Sequence, residues 1–342
     1  MKKILLTGNL GYIGTIMTDF LSKEGYYIIG LDSGLYRDCY LSDYTKADRQ
    51  ILKDIRDVDF SDLVDIYAVI HLAGLSNDPL GDFDEKLTYE INHKATIRLA
   101  KLSKKAGIRR FIYASSQSVY GVSDSESEVS ELSPVNPITA YAKSKFMCEK
   151  DLSKISSRDF SCTYLRPATA YGASPNLRLD IVLNAFVANA FYKNKIIIKS
   201  DGTPWRPMSH INDISKAFNA CLVAPIELVE NQIFNVGTNS NNYTVRDLAE
   251  STLNHFPNAS LVFTGEHTDS RSYRVSSDKI LFVLSDYYKP NYNISDGILE
   301  LKSFLESLVI TEDITDSSKT NRLKCLKEQI DGKKLDSNMR FN

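Results

Sequence analysis

Two hydrophobic patterns alternate along the first half of the chain. Short apolar runs predict buried strands, and the candidates are Lys2–Thr7, Tyr26–Leu31, Tyr67–His71, Arg110–Ala114 and Cys162–Leu165. Longer stretches with apolar residues every three or four positions predict helices over Tyr12–Lys23, Glu85–Ala106 and Ile138–Ile155. Because strands and helices alternate, we expect an α/β fold built on a doubly wound parallel sheet.

The regular alternation loosens in the second half of the chain, which predicts a smaller α/β lobe. The helix Ile211–Val223 and the strand Ile233–Val236 have the composition of core elements that could return to the first sheet, so we expect the lobes to interleave. A polar stretch, Ser123–Ser133, predicts an exposed loop. A charged tail carries one possible helix, Lys319–Ile330, whose apolar stripe should pack on the protein or on a second subunit. The expected division is a first domain over 1–170, the smaller lobe over 171–310 and a tail over 311–342.

Composition adds few constraints. The 342 residues are 43% hydrophobic and carry a formal net charge of −2, which is typical of an ordinary globular protein and favours no nucleic-acid partner. We find no apolar run long enough to span a membrane and no signal region before the first strand, so we expect a cytoplasmic protein without a membrane partner. Scattered cysteines and histidines argue against a disulfide framework and a metal site; the cysteines are Cys39, Cys148, Cys162, Cys221 and Cys325.

A glycine loop joins the first predicted strand to the first predicted helix. Gly8, Gly11 and Gly14 follow the spacing G-x-x-G-x-x-G. A Cβ at these positions would hold a phosphate away from the backbone N–H groups at the helix N-terminus, where the helix dipole favours anions. A strand, a tight turn and a helix in this order predict a dinucleotide site in a Rossmann-like domain.

An acidic residue at the end of the second strand bears on the choice of dinucleotide. Asp32 lies about twenty residues after the glycine loop, the spacing expected for a carboxylate that binds the adenosine ribose. A carboxylate there would repel a 2′-phosphate, which favours NAD over NADP. Arg37 leaves NADP open, because its guanidinium could hold that phosphate if the loop folded back.

Three polar residues further along the chain predict redox chemistry between an alcohol and a ketone. Tyr141 and Lys145 lie four residues apart on a predicted helix and therefore share one face. A phenol is a poor base at neutral pH, but the Lys145 ammonium and a positively charged nicotinamide would both favour the phenolate. Ser116 follows the strand Arg110–Ala114 at the carboxyl edge of the sheet, where its hydroxyl could share a substrate oxygen with Tyr141.

Taken together, these motifs resemble the extended short-chain dehydrogenases/reductases of the nucleotide-sugar epimerase/dehydratase family. The resemblance runs from Lys2 to about Leu308, and the matching segments are Thr7–Gly14, Asp54–Ile55, His71–Gly74, Asn92, Ser115–Gly121, Tyr141–Lys145 and Leu165–Pro167. It implies NAD as the cofactor and a nucleotide sugar as the substrate. It also implies a homodimer in which the helix with Tyr141 and the helix before it pack against their copies.

The resemblance implies roles for residues that periodicity and spacing leave unassigned. Asp54 and Ile55 would flank the adenine, Asn92 would steady the backbone near the active site, and Arg206 and Arg271 would clamp the pyrophosphate of the sugar nucleotide. The full set implied for the cofactor is Gly8, Gly11, Tyr12, Ile13, Gly14, Asp32, Asp54, Ile55, Leu72, Ala73, Gly74, Asn92, Tyr141, Lys145 and, beside the nicotinamide, Ala168. The set implied for the substrate is Ser76, Ser116, Tyr141, Thr169, Arg206 and Arg271.

Departures from the family pattern narrow the reaction. The family's 4,6-dehydratases place an Asp-Glu pair directly after the catalytic Ser or Thr, and here Gln117 and Ser118 stand in those places. An amide and a hydroxyl cannot supply that acid and base, and the same change argues against a decarboxylase. Ser118 also replaces the cysteine of the 3,5-epimerase/4-reductases. Thr169 stands where many 4-epimerases carry an asparagine that contacts the substrate.

The leading hypothesis is an NAD-dependent oxidoreductase acting at C4 of a nucleotide sugar, most simply a 4-epimerase. Ser116, Tyr141 and Lys145 would be its catalytic residues. An NAD(P)-dependent 4-ketoreductase or 4-dehydrogenase would use the same residues, and a non-catalytic NAD-sensing protein is a remoter alternative. Retention of NAD through purification would favour the epimerase, whereas net NAD(P)H consumption would favour a reductase or dehydrogenase.

Overall fold

The computed structural model describes residues 1–122, 128–265, 272–309 and 312–342. Its strands are β1 (Lys3–Thr7), β2 (Tyr27–Asp32), β3 (Arg49–Leu52), β4 (Ala68–His71), β5 (Arg110–Ala114), β6 (Glu128–Val129), β7 (Ser161–Pro167), β8 (Thr169–Tyr171), β9 (Lys195–Ile198), β10 (Trp205–His210), β11 (Ile233–Val236), β12 (Asn242–Thr244), β13 (Ser260–Phe263) and β14 (Arg274–Val275). Its α-helices are α1 (Tyr12–Lys23), α2 (Asp78–Phe83), α3 (Glu85–Thr88), α4 (Ala95–Lys105), α5 (Ala140–Ile155), α6 (Val182–Lys193), α7 (Ile211–Val223), α8 (Ile226–Val229), α9 (Val245–Leu253), α10 (Asp278–Val283), α11 (Ile294–Ser307) and α12 (Arg322–Asp331).

A seven-stranded sheet organises the molecule, in the order β11-β7-β5-β4-β1-β2-β3, with each neighbouring pair parallel. The chain moves outward from β1 in both directions, because β2 pairs with one side of β1 and β4 with the other. In open parallel sheets this change of direction leaves a crevice at the carboxyl ends of the strands, where ligands bind. The predicted doubly wound, Rossmann-like sheet is therefore confirmed.

Both faces of the large sheet are covered by helices, which explains why its strands are apolar on both sides. Leu5 of β1 packs on one side with residues from α4, α5 and α12. Its neighbours Ile4 and Leu6 pack on the opposite side with residues from α1, α7 and α10. Each such fully buried side chain contributes about 1.5–3 kcal/mol through removal from water.

The second half of the chain adds a core of its own and also contributes to the large sheet. Residues from α6, α9 and α11 pack with those of β8 and β10 in a separate apolar cluster. The elements β8, β10 and β12 form a three-stranded sheet within this part. The strand β11 lies at the edge of the large sheet beside β7, and α7 packs against α1.

Three segments differ from the sequence-based predictions. The predicted helix Glu85–Ala106 is divided by a π-helical turn, Tyr89–Lys94, between α3 and α4. Part of the predicted loop Ser123–Ser133 lies outside the described residues, but Glu128–Val129 forms β6, pairs with β14 and buries Val129. The tail helix begins at Arg322, and it packs on the large sheet of its own chain through Leu326.

All five cysteines are free and buried. Within the described ranges, no three His, Cys, Asp or Glu side chains come together in a way that could hold a metal ion. In the same ranges, none of the helices has both the length and the apolar character needed to cross a membrane.

Candidate active site

One cavity of about 490 Å³ opens at the carboxyl ends of β1, β4 and β5. It brings together nearly all of the residues that the sequence singled out. Those lining it are Gly8, Gly11, Tyr12, Ile13, Gly14, Asp32, Asp54, Ile55, Leu72, Ala73, Gly74, Ser76, Ser116, Tyr141, Lys145, Ala168, Thr169 and Arg206. Asn92 does not line the cavity, and Arg271 lies outside the described residues.

The glycine loop forms one wall of the cavity, and the space available for a Cβ differs among its three glycines. Gly8 has a φ of +75°, and a Cβ there would lie 2.8 Å from the backbone nitrogen of Ala73. A Cβ on Gly14 would lie 2.1 Å from the Gly8 carbonyl oxygen, so the turn could not close. At Gly11 a Cβ would meet only that same oxygen, at 3.3 Å, and a side chain would otherwise extend into open space.

The start of α1 suits an anion. Gly11 precedes the helix without any side-chain cap, and no acidic residue stands in the first turn. The first N–H groups of a helix have no partner within it, and the dipole makes this end positive. The narrow glycine turn and the uncapped helix end together fit the pyrophosphate of a dinucleotide.

Asp32 lies at the end of β2 with both carboxylate oxygens engaged. Its Oδ2 accepts a hydrogen bond from the Leu10 N–H at 3.1 Å, and its Oδ1 accepts one from the Gly34 N–H at 2.8 Å. Burial raises the pKa of Asp32, and these two hydrogen bonds oppose that change. Arg37 does not line the cavity; its guanidinium lies 5.0 Å from the centre of the Phe341 ring. The folded-back arginine that would have favoured NADP is therefore not observed.

The residues predicted to carry redox chemistry converge from two elements. Ser116 follows β5, and α5 presents Tyr141 and Lys145 on one face. The Ser116 hydroxyl donates to Ser118 Oγ at 3.1 Å and lies near enough to Tyr141 to lower the pKa of its phenol. Lys145 donates to the Ala114 carbonyl oxygen at 2.7 Å, and its Nζ lies 5.6 Å from the centre of the Tyr141 ring.

Burial dominates the ionisation of both α5 residues in this ligand-free structure. It raises the pKa of Tyr141 to about 12, although the Ser116 hydrogen bond and the charge of Arg178 act in the opposite direction. It also lowers the pKa of Lys145 to about 8. The sequence argument expected Lys145 to lower the pKa of Tyr141, whereas in this structure the cost of burying the phenolate is larger.

A buried ion pair next to Lys145 supports the positions of the three predicted redox residues. Glu149 lies one helical turn beyond Lys145, and its carboxylate accepts two hydrogen bonds from Arg166, at 2.9 and 2.6 Å. It also accepts a hydrogen bond from Ser115, the neighbour of Ser116, at 2.5 Å. These hydrogen bonds therefore connect α5, β7 and the loop after β5 that contains Ser115 and Ser116. The sequence offered one signal for it, since Tyr141, Lys145 and Glu149 recur every four residues on the same helix face.

Asn92 lies behind the cavity wall and forms hydrogen bonds to two of the segments around the cavity. Its Oδ1 accepts from the Leu75 N–H at 2.8 Å, and its Nδ2 donates to the Leu75 carbonyl at 3.0 Å and to Ser144 at 3.2 Å. It therefore joins the loop after β4 to helix α5. Close packing also fixes Tyr141 from the α2 side, because a Cβ on Gly81 would lie 2.8 Å from the Tyr141 Cβ.

Several residues that line the cavity were not predicted to do so. Arg178 and Asp180 pair with each other there, and Arg322 reaches the cavity from α12. Nothing in their local spacing indicated this position, since long-range folding brings them to the glycine loop. Gln117 also lines the cavity, where its Oε1 is buried without a hydrogen-bond partner in the described structure. A ligand donor could satisfy that oxygen.

The family can be stated at this point. The model of the "NAD dependent epimerase/dehydratase family" matches residues 4–237, so the chain belongs to this family. It is therefore an enzyme, and its cofactor is NAD.

Relatives that are 27–29% identical span most of the chain. A UDP-glucose 4-epimerase from Mycolicibacterium smegmatis is 29% identical over 245 residues, covering 69% of this chain and 77% of the relative. A putative UDP-glucose 4-epimerase from Methanocaldococcus jannaschii is 27% identical over 317 residues, covering 89% and 98%. The human dTDP-D-glucose 4,6-dehydratase is 28% identical over 250 residues, covering 70% and 69%.

Solved structures share the fold at lower identity. TunA, described as an NAD-dependent NDP-hexosamine 5,6-dehydratase, superimposes with a TM-score of 0.81 at 21% identity, covering 91% of this chain and 100% of TunA. The UDP-glucuronic acid 4-epimerase from Bacillus cereus, solved with UDP-glucuronic acid and NAD, gives a TM-score of 0.76 at 22% identity, covering 89% and 99%. At these identities the likeness establishes the fold alone.

Proposed function

We propose that this enzyme is an NAD-dependent 4-epimerase of a nucleotide-activated sugar. One observation carries the proposal: Ser116, Tyr141 and Lys145 meet in the same cavity as the glycine loop, while Gln117 and Ser118 occupy the places of a dehydratase acid and base. The site thus has the groups for moving a proton on and off an alcohol. It lacks, at those two places, the carboxylates for eliminating water.

The cavity residues divide into two groups in this proposal. Tyr12, Ile13 and the loop glycines hold the NAD pyrophosphate, Asp32 binds the adenosine ribose, and Asp54 and Ile55 lie beside the adenine. The nicotinamide side is formed by Leu72, Ala73, Gly74 and Ala168. The sugar nucleotide is contacted by Ser76, Ser116, Tyr141, Thr169 and Arg206, with Gln117 Oε1 free to accept a hydrogen bond from it. This assignment is supported by the shared cavity that all of them line.

The reaction follows from the polar groups. When bound, NAD supplies a hydride acceptor and donor beside the sugar. The Tyr141 phenolate would take the proton of the C4 hydroxyl as that carbon is oxidised, and the phenol would return a proton to the same oxygen as the carbon is reduced again. Ser116 orients the same oxygen, since its hydroxyl lines the cavity beside Tyr141. Lys145 holds the ribose and favours the phenolate by its charge.

The relatives guide the choice of substrate. UDP-glucose and UDP-glucuronate 4-epimerases are both among them, so we propose a UDP-sugar and a role in carbohydrate biosynthesis. We place the enzyme in the cytoplasm, where phosphorylated metabolites of this kind are used. We also propose domains over 1–170 and 171–310 with a tail over 311–342, and a homodimer formed through α4 and α5. Light scattering of the eluted protein would check the dimer.

The test is an assay of sugar configuration. The purified protein is incubated with UDP-glucose, UDP-glucuronic acid and dTDP-glucose, and the products are followed by NMR, mass and NAD(P)H absorbance. We expect a C4 epimer of one substrate without net absorbance change. Net oxidation or reduction would replace the epimerase by a dehydrogenase or reductase, and a product lighter by one water would replace it by a dehydratase.

A matched pair of variants tests the role of the phenol. Tyr141→Phe should lower the turnover rate by about 10²–10⁴-fold, the usual contribution of a positioned acid–base group. Tyr287→Phe, an exposed tyrosine on the surface, serves as the control and should keep full activity. Activity retained by Tyr141→Phe would contradict this assignment.

A further inference from the structure

The end of the chain forms part of the cavity wall. We call residues 322–341 the C-terminal clasp; it comprises α12 and the segment that follows it. Arg322 and Met339 of the clasp line the cavity together with Asp32 and Asp54. Leu326 and Met339 are buried in the core of the large sheet, which anchors the clasp on the protein.

Polar contacts bind the C-terminal clasp to the two loops that follow β2 and β3. Gln329 donates to the Leu35 carbonyl at 2.7 Å, and Arg340 pairs with Asp57. The thiol sulfurs of Cys39 and Cys325 lie 3.4 Å apart. These contacts hold the clasp against the side of the cavity that contains Asp32.

Arg322 is an unusual residue for such a position. Only 2% of it is exposed, and its guanidinium lies 4.7 Å from the centre of the Tyr36 ring. It donates to the carbonyl oxygen of Asn176 at 2.9 Å and also to the side-chain oxygen of that residue. Throughout the described ranges, no carboxylate lies within ion-pair distance of it. A buried cation without an anionic partner is costly.

A second buried guanidinium lines the same wall. Arg178 is paired with Asp180 at 2.9 Å and donates to Ser76 at 3.1 Å. The two arginines repel each other, and burial together with the charge of Arg178 lowers the pKa of Arg322. The charge of Asp180 acts on both guanidinium groups, and Arg322 also acts on the buried Asp32, so the two arginines and these two carboxylates form one cluster of charges in the cavity wall.

Hydrogen bonds connect the two arginines to the glycine loop and to Tyr12. Asn176, the partner of Arg322, donates to the Leu10 carbonyl at 2.8 Å. Asn184 joins the Arg178 carbonyl to the Tyr12 hydroxyl, with distances of 3.0 Å to each. Arg178 and Arg322 thus line the same cavity as the glycine loop, and the charge of Arg178 acts on Tyr12, the first residue of α1. The uncapped start of this helix favours an anion for independent reasons.

We propose that Arg322 of the C-terminal clasp binds the pyrophosphate of NAD, together with Arg178 and the start of α1. Planar guanidinium groups suit phosphate oxygens, and the phosphate would give the Arg322 guanidinium an anionic partner at ion-pair distance. The C-terminal clasp then forms part of the NAD-binding site. It keeps NAD bound between turnovers, which suits an enzyme that must return the same hydride it has taken.

The experiment compares phosphate-dependent with phosphate-independent binding. NAD-free, full-length protein is titrated by calorimetry with NAD and separately with adenosine, which lacks both phosphates. Arg322→Gln should weaken NAD binding by about 10–100-fold, the range for a lost charge-assisted hydrogen bond, and change adenosine binding by less than about twofold. Lys327→Gln removes one charge from an exposed position of the same helix and is the matched control; it should bind both ligands normally.

Two further measurements separate a binding role from a structural one. Arg322→Lys keeps the charge but loses the planar fork, so its NAD affinity should fall between those of wild type and Arg322→Gln. Trypsin digestion and the unfolding temperature of the NAD-free variants report whether the clasp stays docked. Equal weakening of NAD and adenosine, or unchanged NAD binding in Arg322→Gln, would overturn the proposal. Because these assays measure binding, their outcome does not depend on which sugar is epimerised.

Discussion

The charge of Lys145 offers a quantitative test of the proposed chemistry. With a pKa of about 12, Tyr141 costs about 7 kcal/mol to ionise at pH 7, since each pH unit corresponds to about 1.4 kcal/mol. Lys145, with a pKa of about 8, is about nine-tenths protonated at that pH. Its ammonium is therefore present when the phenolate must form.

The size of its effect follows from the distance. At 5.6 Å from the ring centre, a unit charge stabilises the phenolate by about 3 kcal/mol for an effective dielectric constant of about 20. This lowers the pKa of Tyr141 by about two. Lys145→Met should consequently lower kcat/KM at pH 7 by about 100-fold through this effect alone.

The pKa of Lys145 also predicts how the effect of Lys145→Met changes with pH. As pH rises through the Lys145 pKa of about 8, the wild-type enzyme loses the ammonium and with it the advantage over Lys145→Met. We therefore expect the ratio of the two kcat/KM values to shrink between pH 8 and 10. The assay is initial-rate epimerisation at saturating NAD, with Lys143→Met, an exposed lysine of the same helix, as the control. A ratio that stays constant with pH would refute the electrostatic role and leave Lys145 as a ribose-binding residue only.

Other substitutions test the framework around the site. Gly14→Ala should abolish NAD binding, because its Cβ would lie 2.1 Å from a loop carbonyl oxygen, and the heat of NAD binding would measure this. Glu149→Gln leaves the guanidinium of Arg166 buried without its anion and should cost about 3–5 kcal/mol of stability, to be read from urea unfolding. Treatment with diamide should link Cys39 to Cys325 as a disulfide, with two protons and two electrons passing to the oxidant, and peptide mass spectrometry would detect the linked pair; unlinked thiols would show that the clasp does not stay docked.

The sequence patterns predicted those parts of the fold that depend on residues close together in the chain. Unbroken apolar runs predict strands buried on both faces, and the glycine loop has steric requirements that only one residue type meets. For the same reason, Ser116, Tyr141 and Lys145 could be proposed as site residues from a strand end and a helix spacing. Their meeting in one cavity then follows from the parallel sheet.

Other features depend on contacts between distant segments and had no local signal. The π-helical turn at Tyr89–Lys94 interrupts a pattern that looks continuously helical. The pairing of β6 with β14 gives order to a stretch whose composition is that of a loop. Arg322 lies in a charged tail, and only its docking against Asn176 brings it to the cavity.

The most direct test of the central claim follows the hydride itself. The sugar nucleotide that the enzyme epimerises is prepared with deuterium at C4 and converted in ordinary water in the presence of NAD. If Tyr141 moves only the hydroxyl proton while the hydride is taken and returned within one turnover, NMR will show the product epimer with deuterium still at C4. Loss of that deuterium to solvent, or its appearance in free NADH, would contradict the epimerase mechanism.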